Sequence, residues 1–455
     1  MTAATDIEND VGQKSSDLIT EEENSKSTMA LNEAEDPFGS EEHGQIKYRV
    51  MSWWQCGMIM IAQNISLGIL SLPSAVATLG IAPAIIILLG LSAISWYTAF
   101  VIGQFKLRYP QIHSMADAGE LLMGRIGREL LGTGQLLLLI FIMASHILTF
   151  SVLMNTLTNH GTCTIVFAVV GTLVSFVGAL PRTMDKVYWI SVASFASILA
   201  ATVVTMVAIG VQAKGPDLTE ATTEVSFQKA FLAVTNIVFA YIAHVAFFGY
   251  MSEMDEPRDF PKSLALLQVV DTCMYVVTAV VIYRYAGPDV ASPALSSAGP
   301  IMKKVTYGLA IPTVVFSGVV LGHVAGKYIY VRLFRGSNVM HQRSFASIGA
   351  WVAIGAILWA IAFVIAESIP VFNDLLSLIS ALFGSWFSYG LPAVFWLTMN
   401  KKQLFSTPKK VLLTVLNVII FGIACAICVL GLWTSGQSIS DSGKSATWTC
   451  ANNAD

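Results

Sequence analysis

Gln63-Asn64-Ile65-Ser66-Leu67-Gly68-Ile69-Leu70-Ser71-Leu72-Pro73 sets two amides, two hydroxyls, a glycine and a proline inside an apolar run over residues 52–77. About 20 apolar residues span the hydrocarbon core of a bilayer, so the run is a membrane helix. Polar groups and a breaker at its centre are tolerated only where they line protein or a cavity. The stretch therefore predicts a helix interrupted at mid-membrane. Amides and carbonyls freed around Ser66 to Leu70 would be open to a carboxylate or an ammonium, the positive end of a half-helix favouring the carboxylate.

Ten further apolar runs follow, near residues 80–103, 130–156, 163–180, 187–211, 229–250, 264–284, 306–331, 346–366, 375–398 and 411–433, which makes eleven spans. The sixth repeats the interrupted pattern, with Asn236 before Phe239-Ala240-Tyr241-Ile242-Ala243-His244-Val245-Ala246-Phe247-Phe248-Gly249. Five spans separate the two interruptions. An odd spacing inverts one half against the other, as in transporters built from inverted five-helix repeats.

Composition agrees with a lipid solvent. Of 455 residues, 55% are hydrophobic and 12% charged, against roughly 25% charged in a soluble domain. The net charge of −3 hides an asymmetry, because 12 of the 29 acids lie in residues 1–46 beside only Lys14 and Lys26. That segment carries too little apolar surface to offset chain entropy and reads as a disordered tail. Lys14 and Lys26, with the serines near them, are candidate sites for ubiquitin or a kinase. The chain divides into this tail, a transmembrane domain over residues 47–433 and a C-terminal tail over residues 434–455.

Loop charge orients the spans. With the N-terminus inside, 20 of the 26 basic residues fall in cytoplasmic segments, among them Arg108, Arg128, Arg258, Lys262, Lys327, Arg332, Lys409 and Lys410, as the positive-inside bias requires. The C-terminus is then outside. Cys163 and Cys450 share that outer, oxidising face, where a bridge is permitted and stays open from sequence. Cys56, Cys273, Cys425 and Cys428 lie in apolar runs and read as small hydrophobes. Between spans two and three, Leu107 to Leu131 mixes apolar and charged residues at helical spacing, which predicts an amphipathic interfacial helix.

Ionisable residues at membrane depth are costly and therefore candidates for function. They are His146, His244, Asp271 and His323, with Glu367 and Asp374 nearer the outer ends of their spans. A histidine titrates near neutrality and suits proton loading and release, although a lone one equally serves as a helix-packing hydrogen bonder. By analogy with inverted-repeat sodium transporters, Ser317 and His323 on span eight would face the region that holds the ion against span one. Glu253 to Lys262 alternates acids and bases, as a solvated turn or an ion-paired gate would. No metal site, cofactor or nucleic-acid surface is expected. The absence of HExxH, of paired catalytic acids and of a Ser/Lys dyad argues against an intramembrane enzyme.

The strings Asn64 to Pro73, Tyr109-Pro110 to Arg128, and Phe239 to His244 continuing into Ser252-Glu253-Met254-Asp255-Glu256-Pro257-Arg258-Asp259-Phe260-Pro261-Lys262 resemble the amino acid/auxin permease family. The resemblance runs from about Tyr48 to Trp433 and is nearest to the fungal neutral amino acid permeases of the methyltryptophan-resistance type. It implies an all-α polytopic protein: an inverted 5+5 leucine-transporter-like bundle with one C-terminal helix added. It further implies proton-coupled symport of neutral aliphatic and aromatic amino acids across the plasma membrane by alternating access. Carried over by position, Asn64, Ser66, Gly68, Ile69, Phe239, Tyr241 and His244 would flank the substrate. Ala243 stands where many relatives have Gly, which shifts the expected break. Alternatives are an amino-acid sensor of the same fold and a sodium-coupled or vacuolar transporter.

Overall fold

Each apolar run folds as a helix, because a backbone without water must satisfy its own hydrogen bonds. The computed structural model describes residues 49–182, 184–212, 219–334, 337, 344–442 and 447–454. The acidic tail, with Lys14 and Lys26, lies outside the described residues. The spans are Trp53–Leu79, Ile81–Arg108, Met115–Thr158, Thr164–Gly178, Met184–Gln212, Phe227–Glu253, Pro257–Ala286, Pro300–Phe334, Phe345–Ser368, Phe372–Met399 and Pro408–Ser442. Ten are long and apolar enough to cross a bilayer; the fourth, with 15 residues, is the short one. Among the described residues there is no strand, only an isolated bridge between Met51 and Met254.

Burial separates interior from periphery. The apolar windows of spans one, three and six are 89%, 83% and 83% buried, while spans nine and eleven reach only 22% and 28%. The outer helices keep their apolar faces for lipid.

Span one is not interrupted. Trp53–Leu79 runs as one helix through Pro73, contrary to the expectation from its polar centre. Two hydroxyls bond back to carbonyls of the same helix around the proline: Ser71 Oγ donates to Gly68 O at 3.0 Å and Ser74 Oγ to Ser71 O at 2.9 Å. The amides meant to mark a break are bonded across to other spans, Gln63 to Tyr250 and Asn64 to Asp271. Span six does break. Phe227–Phe239 ends, residues 240–242 leave the helix, a 3-10 turn covers Ala243–Ala246, and Phe247–Glu253 resumes. Span ten holds a departure unforeseen in the sequence, a π-helical segment over Ser380–Gly390.

The interfacial segment is helical and continuous with span three, bent at Gly124 (φ 66°, ψ −149°). Its exposed face carries Leu121, Met123, Ile126 and Leu130, as an interfacial helix requires. That backbone region is essentially closed to side chains and costs about 1–3 kcal/mol to occupy. Gly124→Ala is therefore expected to lower stability by about that amount, read from thermal unfolding in detergent.

Cys163 and Cys450 are joined. Residues 447–454 are docked rather than free: Asn155 Nδ2 donates to Asn453 Oδ1 at 2.7 Å, Thr164 Oγ1 to Ala451 O at 2.6 Å and Lys303 Nζ to Ala454 O at 2.9 Å. The last helix also runs past Trp433 to Ser442.

Candidate substrate and coupling site

The break in span six lies directly against span one. A Cβ on Gly68 would sit 2.9 Å from Ala240 Cα, so the absence of a side chain there is what lets the two backbones touch. Tyr275, on span seven, bridges them: its hydroxyl lies 3.1 Å from Asn64 O and 3.0 Å from Ala240 O. One turn before it on the same helix, Asp271 is fully buried and accepts from Asn64 Nδ2 through Oδ2. Its other oxygen, Oδ1, has no hydrogen-bond partner and, among the described residues, Asp271 makes no ion pair. Tyr241 completes the cluster, its ring 5.4 Å from that of Tyr275 and edge-on to it.

Of the residues expected to flank a substrate, Asn64, Gly68 and Tyr241 converge here. Phe239 and Ile69 are buried on the two helices concerned, at 6% and 0% exposure. Ser66 turns toward span eight, where Thr313 Oγ1 lies 3.3 Å from its hydroxyl. Further oxygens gather there: Ser194 Oγ lies 3.1 Å from Ser317 Oγ, and Ser317 Oγ donates to Ala62 O at 2.8 Å.

The ionisable candidates do not converge. His244 turns to span two, with Nε2 3.0 Å from Thr98 Oγ1 and 3.1 Å from Ser95 O. His146 Nδ1 lies 2.8 Å from Val314 O, and His323 Nδ1 lies 2.8 Å from Pro181 O. Each imidazole donates to a carbonyl, which is the work of a helix-packing group. Of the four, Asp271 is the one hydrogen-bonded to span one among the described residues.

Two ends flank this centre. At the end bearing most loop lysines and arginines, Lys327 Nζ and a Glu253 carboxylate oxygen stand 2.7 Å apart, their side chains 4% and 1% exposed. Val50 and Met51 amides donate to Glu253 O at 3.2 and 3.0 Å, and Asp255 N to Met51 O at 2.9 Å. Those bonds stitch the chain before span one to the end of span six. At the disulfide end a cavity of about 390 Å³ is lined by Ser74, Thr78, Lys229, Asn236 and Asp441 among others. Sequence reading picked out Glu253 but not its partner, and missed Tyr275, whose placement one helical turn after Asp271 was the available signal.

Gly68→Ala would press a methyl against backbone that no rotamer change can move. Overpacking of this kind costs about 1–3 kcal/mol, and uptake is expected to fall at unchanged membrane level, checked by transport alongside surface labelling.

A helix bundle with one broken span against a glycine, an ion pair buried at one end and a cavity at the other, is the architecture of a membrane transporter. Two solved structures share its fold: MhsT in complex with L-phenylalanine, at a TM-score of 0.57 and 13% identity over 86% of this chain and 100% of that one, and Mhp1, a nucleobase-cation-symport-1 family transporter in a closed conformation, at 0.56 and 12% over 90% and 95%. The chain belongs to the amino acid/auxin permease family, whose model, described as transmembrane amino acid transporter protein, matches residues 49–437. An N amino acid transport system protein of Neurospora crassa is 37% identical over 424 residues, 90% of each chain. A transmembrane transporter of Gibberella moniliformis is 29% identical over 90% of this chain and 89% of its own.

Proposed function

We propose that the chain is a proton-coupled symporter of neutral aliphatic and aromatic amino acids, resident in the plasma membrane with its N-terminus inside and working by alternating access. The observation that carries this reading is Asp271, buried without a cation and bonded to Asn64, beside a tyrosine that ties span one to the break in span six. A carboxylate at that depth is costly as an anion, and a proton removes the charge. Binding and release of that proton is thereby coupled to the contact between span one and the break in span six. His244 then serves as a positioning residue that holds the broken span to span two.

The substrate's carboxylate and ammonium would use polar groups beside Gly68 and the break, with Ile69, Phe239 and Val245 offering apolar surface to a neutral side chain. In the conformation described, Glu253 and Lys327 close the cytoplasmic end and the outer cavity is the way in. The Neurospora relative, named for amino acid transport, supports the substrate class.

The oxygen cluster of Ala62, Ser194, Thr313 and Ser317 favours a second reading in which sodium drives the same cycle. Uptake of a panel of labelled amino acids at varied pH and sodium decides. Accumulation of neutral amino acids that grows as outside pH falls, without sodium, is the expected result. Dependence on sodium alone transfers the coupling to the cluster, binding without accumulation makes the protein a sensor, and no accumulation of neutral amino acids under any condition ends the proposal. A tagged chain at the vacuole would move the site of action there.

A further inference from the structure

A cleft of about 700 Å³ opens where the basic-loop ends of spans two, ten and eleven meet. Its lining is of two kinds. Arg108, Lys409 and Lys410 bring three cations, and no carboxylate lines it. Among the described residues Arg108 and Lys409 make no ion pair, and no carboxylate of those residues faces them in the cleft. Lys410 is held in place, its ammonium 5.5 Å from the centroid of the Trp396 ring and bonded to Asn400 Oδ1. Span eleven begins there, adding the positive end of its dipole. The rest of the wall is uncharged: Tyr97, Gln104, Asn400 and Thr407 bring polar groups and the remainder is apolar, with Phe100 and Leu107 39% and 43% exposed on the outward face of a membrane span. The cleft therefore opens sideways to lipid.

We propose that this cleft binds the headgroup of an anionic phospholipid from the cytoplasmic leaflet, with the phosphate among Arg108, Lys409 and Lys410 and the chains running down over Leu107 and Phe100. Basic pockets between membrane helices on the cytoplasmic side suit such headgroups. The acidic segment over residues 1–46 has the right charge but no aromatic residue before Phe38 to cover the apolar wall, whereas a phospholipid matches both halves of the lining.

The test reconstitutes the full chain in phosphatidylcholine discs containing a minor share of phosphatidylserine and counts retained lipid by native mass spectrometry. A lysine or arginine near an anionic surface contributes about 1 kcal/mol, which is about fivefold in affinity. Arg108→Gln and Lys409→Gln, both exposed and outside the packed core, are each expected to weaken retention about fivefold, and Lys304→Gln at the opposite end to leave it unchanged. Equal retention by the cleft variants, or equal loss in Lys304→Gln, overturns the site. Displacement by soluble glycerophosphoserine reduces it to a simple anion site and overturns the lipid assignment. A carbodiimide crosslink from Lys409 to an acid of residues 1–46 gives the cleft to the tail instead.

Discussion

Lys327→Ala is expected to destabilise the protein by about 3–5 kcal/mol, more than either glycine substitution above. Its ammonium is 4% exposed and lies 2.7 Å from a carboxylate that is 1% exposed. Removing one member strands the other charge out of water, and the penalty for that stranded charge exceeds the net worth of the pair. Because the penalty belongs to the orphan, Lys327→Met combined with Glu253→Gln should recover most of the lost stability. Thermal unfolding of the parent, Lys327→Ala, Lys327→Met, Glu253→Gln and the double variant in one detergent measures both statements, and a Lys327→Ala chain as stable as the parent would show that the pair is hydrated. The functional consequence is separable. The Glu253–Lys327 pair ties the end of span six to span eight, so the double variant is expected to fold yet hold that end less firmly. Combined with Gly249→Cys, that loosening is visible as faster reaction with a thiol reagent added from inside.

Asp271→Asn is expected to abolish pH-driven accumulation while leaving substrate exchange in place, the largest effect on function. An asparagine there keeps the size of the side chain and can still accept from Asn64 Nδ2, which mimics the protonated acid without releasing a proton. A carrier locked in that state can swap substrate across the membrane but cannot draw on the gradient. Accumulation should therefore fall at least tenfold, equivalent to about 1.4 kcal/mol of lost driving force, with counterflow of preloaded substrate retained within a few-fold. Wild-type pH dependence in Asp271→Asn would exclude Asp271 as the coupling group. His244→Gln is the companion measurement: its ring contacts Ser95 and Thr98 on span two, so maximal uptake should fall and its pH profile should not move.

The same two sites show what a linear reading reaches. Glu253 stood out as part of an alternating charged stretch, yet nothing along the chain connects it to a lysine on span eight, because the pair exists only where two spans cross. Asp271 was visible as a carboxylate at membrane depth. Its standing above the three histidines depended on Asn64 and Tyr275, more than two hundred residues apart in the chain and in contact through one hydrogen bond. Sequence favoured His244, which lies in the interrupted span, and could not see its packing bond, because solvation by a neighbouring carbonyl leaves no local mark.

Span count, fold class and the amphipathic segment before span three were determined by the sequence itself, since each follows from a local sum: apolar length against bilayer thickness, or periodicity along one helix. One polar pattern predicted breaks in both span one and span six, and only span six has one. Tertiary structure alone decided that span one stays whole. Its amides find Tyr250 and Asp271 on other spans, its serines bond to carbonyls of the same helix, and Gly68 lets Ala240 close against it, so polar groups that on their own would demand an unwound backbone are satisfied without one. The Cys163–Cys450 link and the Glu253–Lys327 pair were likewise set by partners far away in the chain, whose proximity is a property of the packed bundle and not of any window of residues.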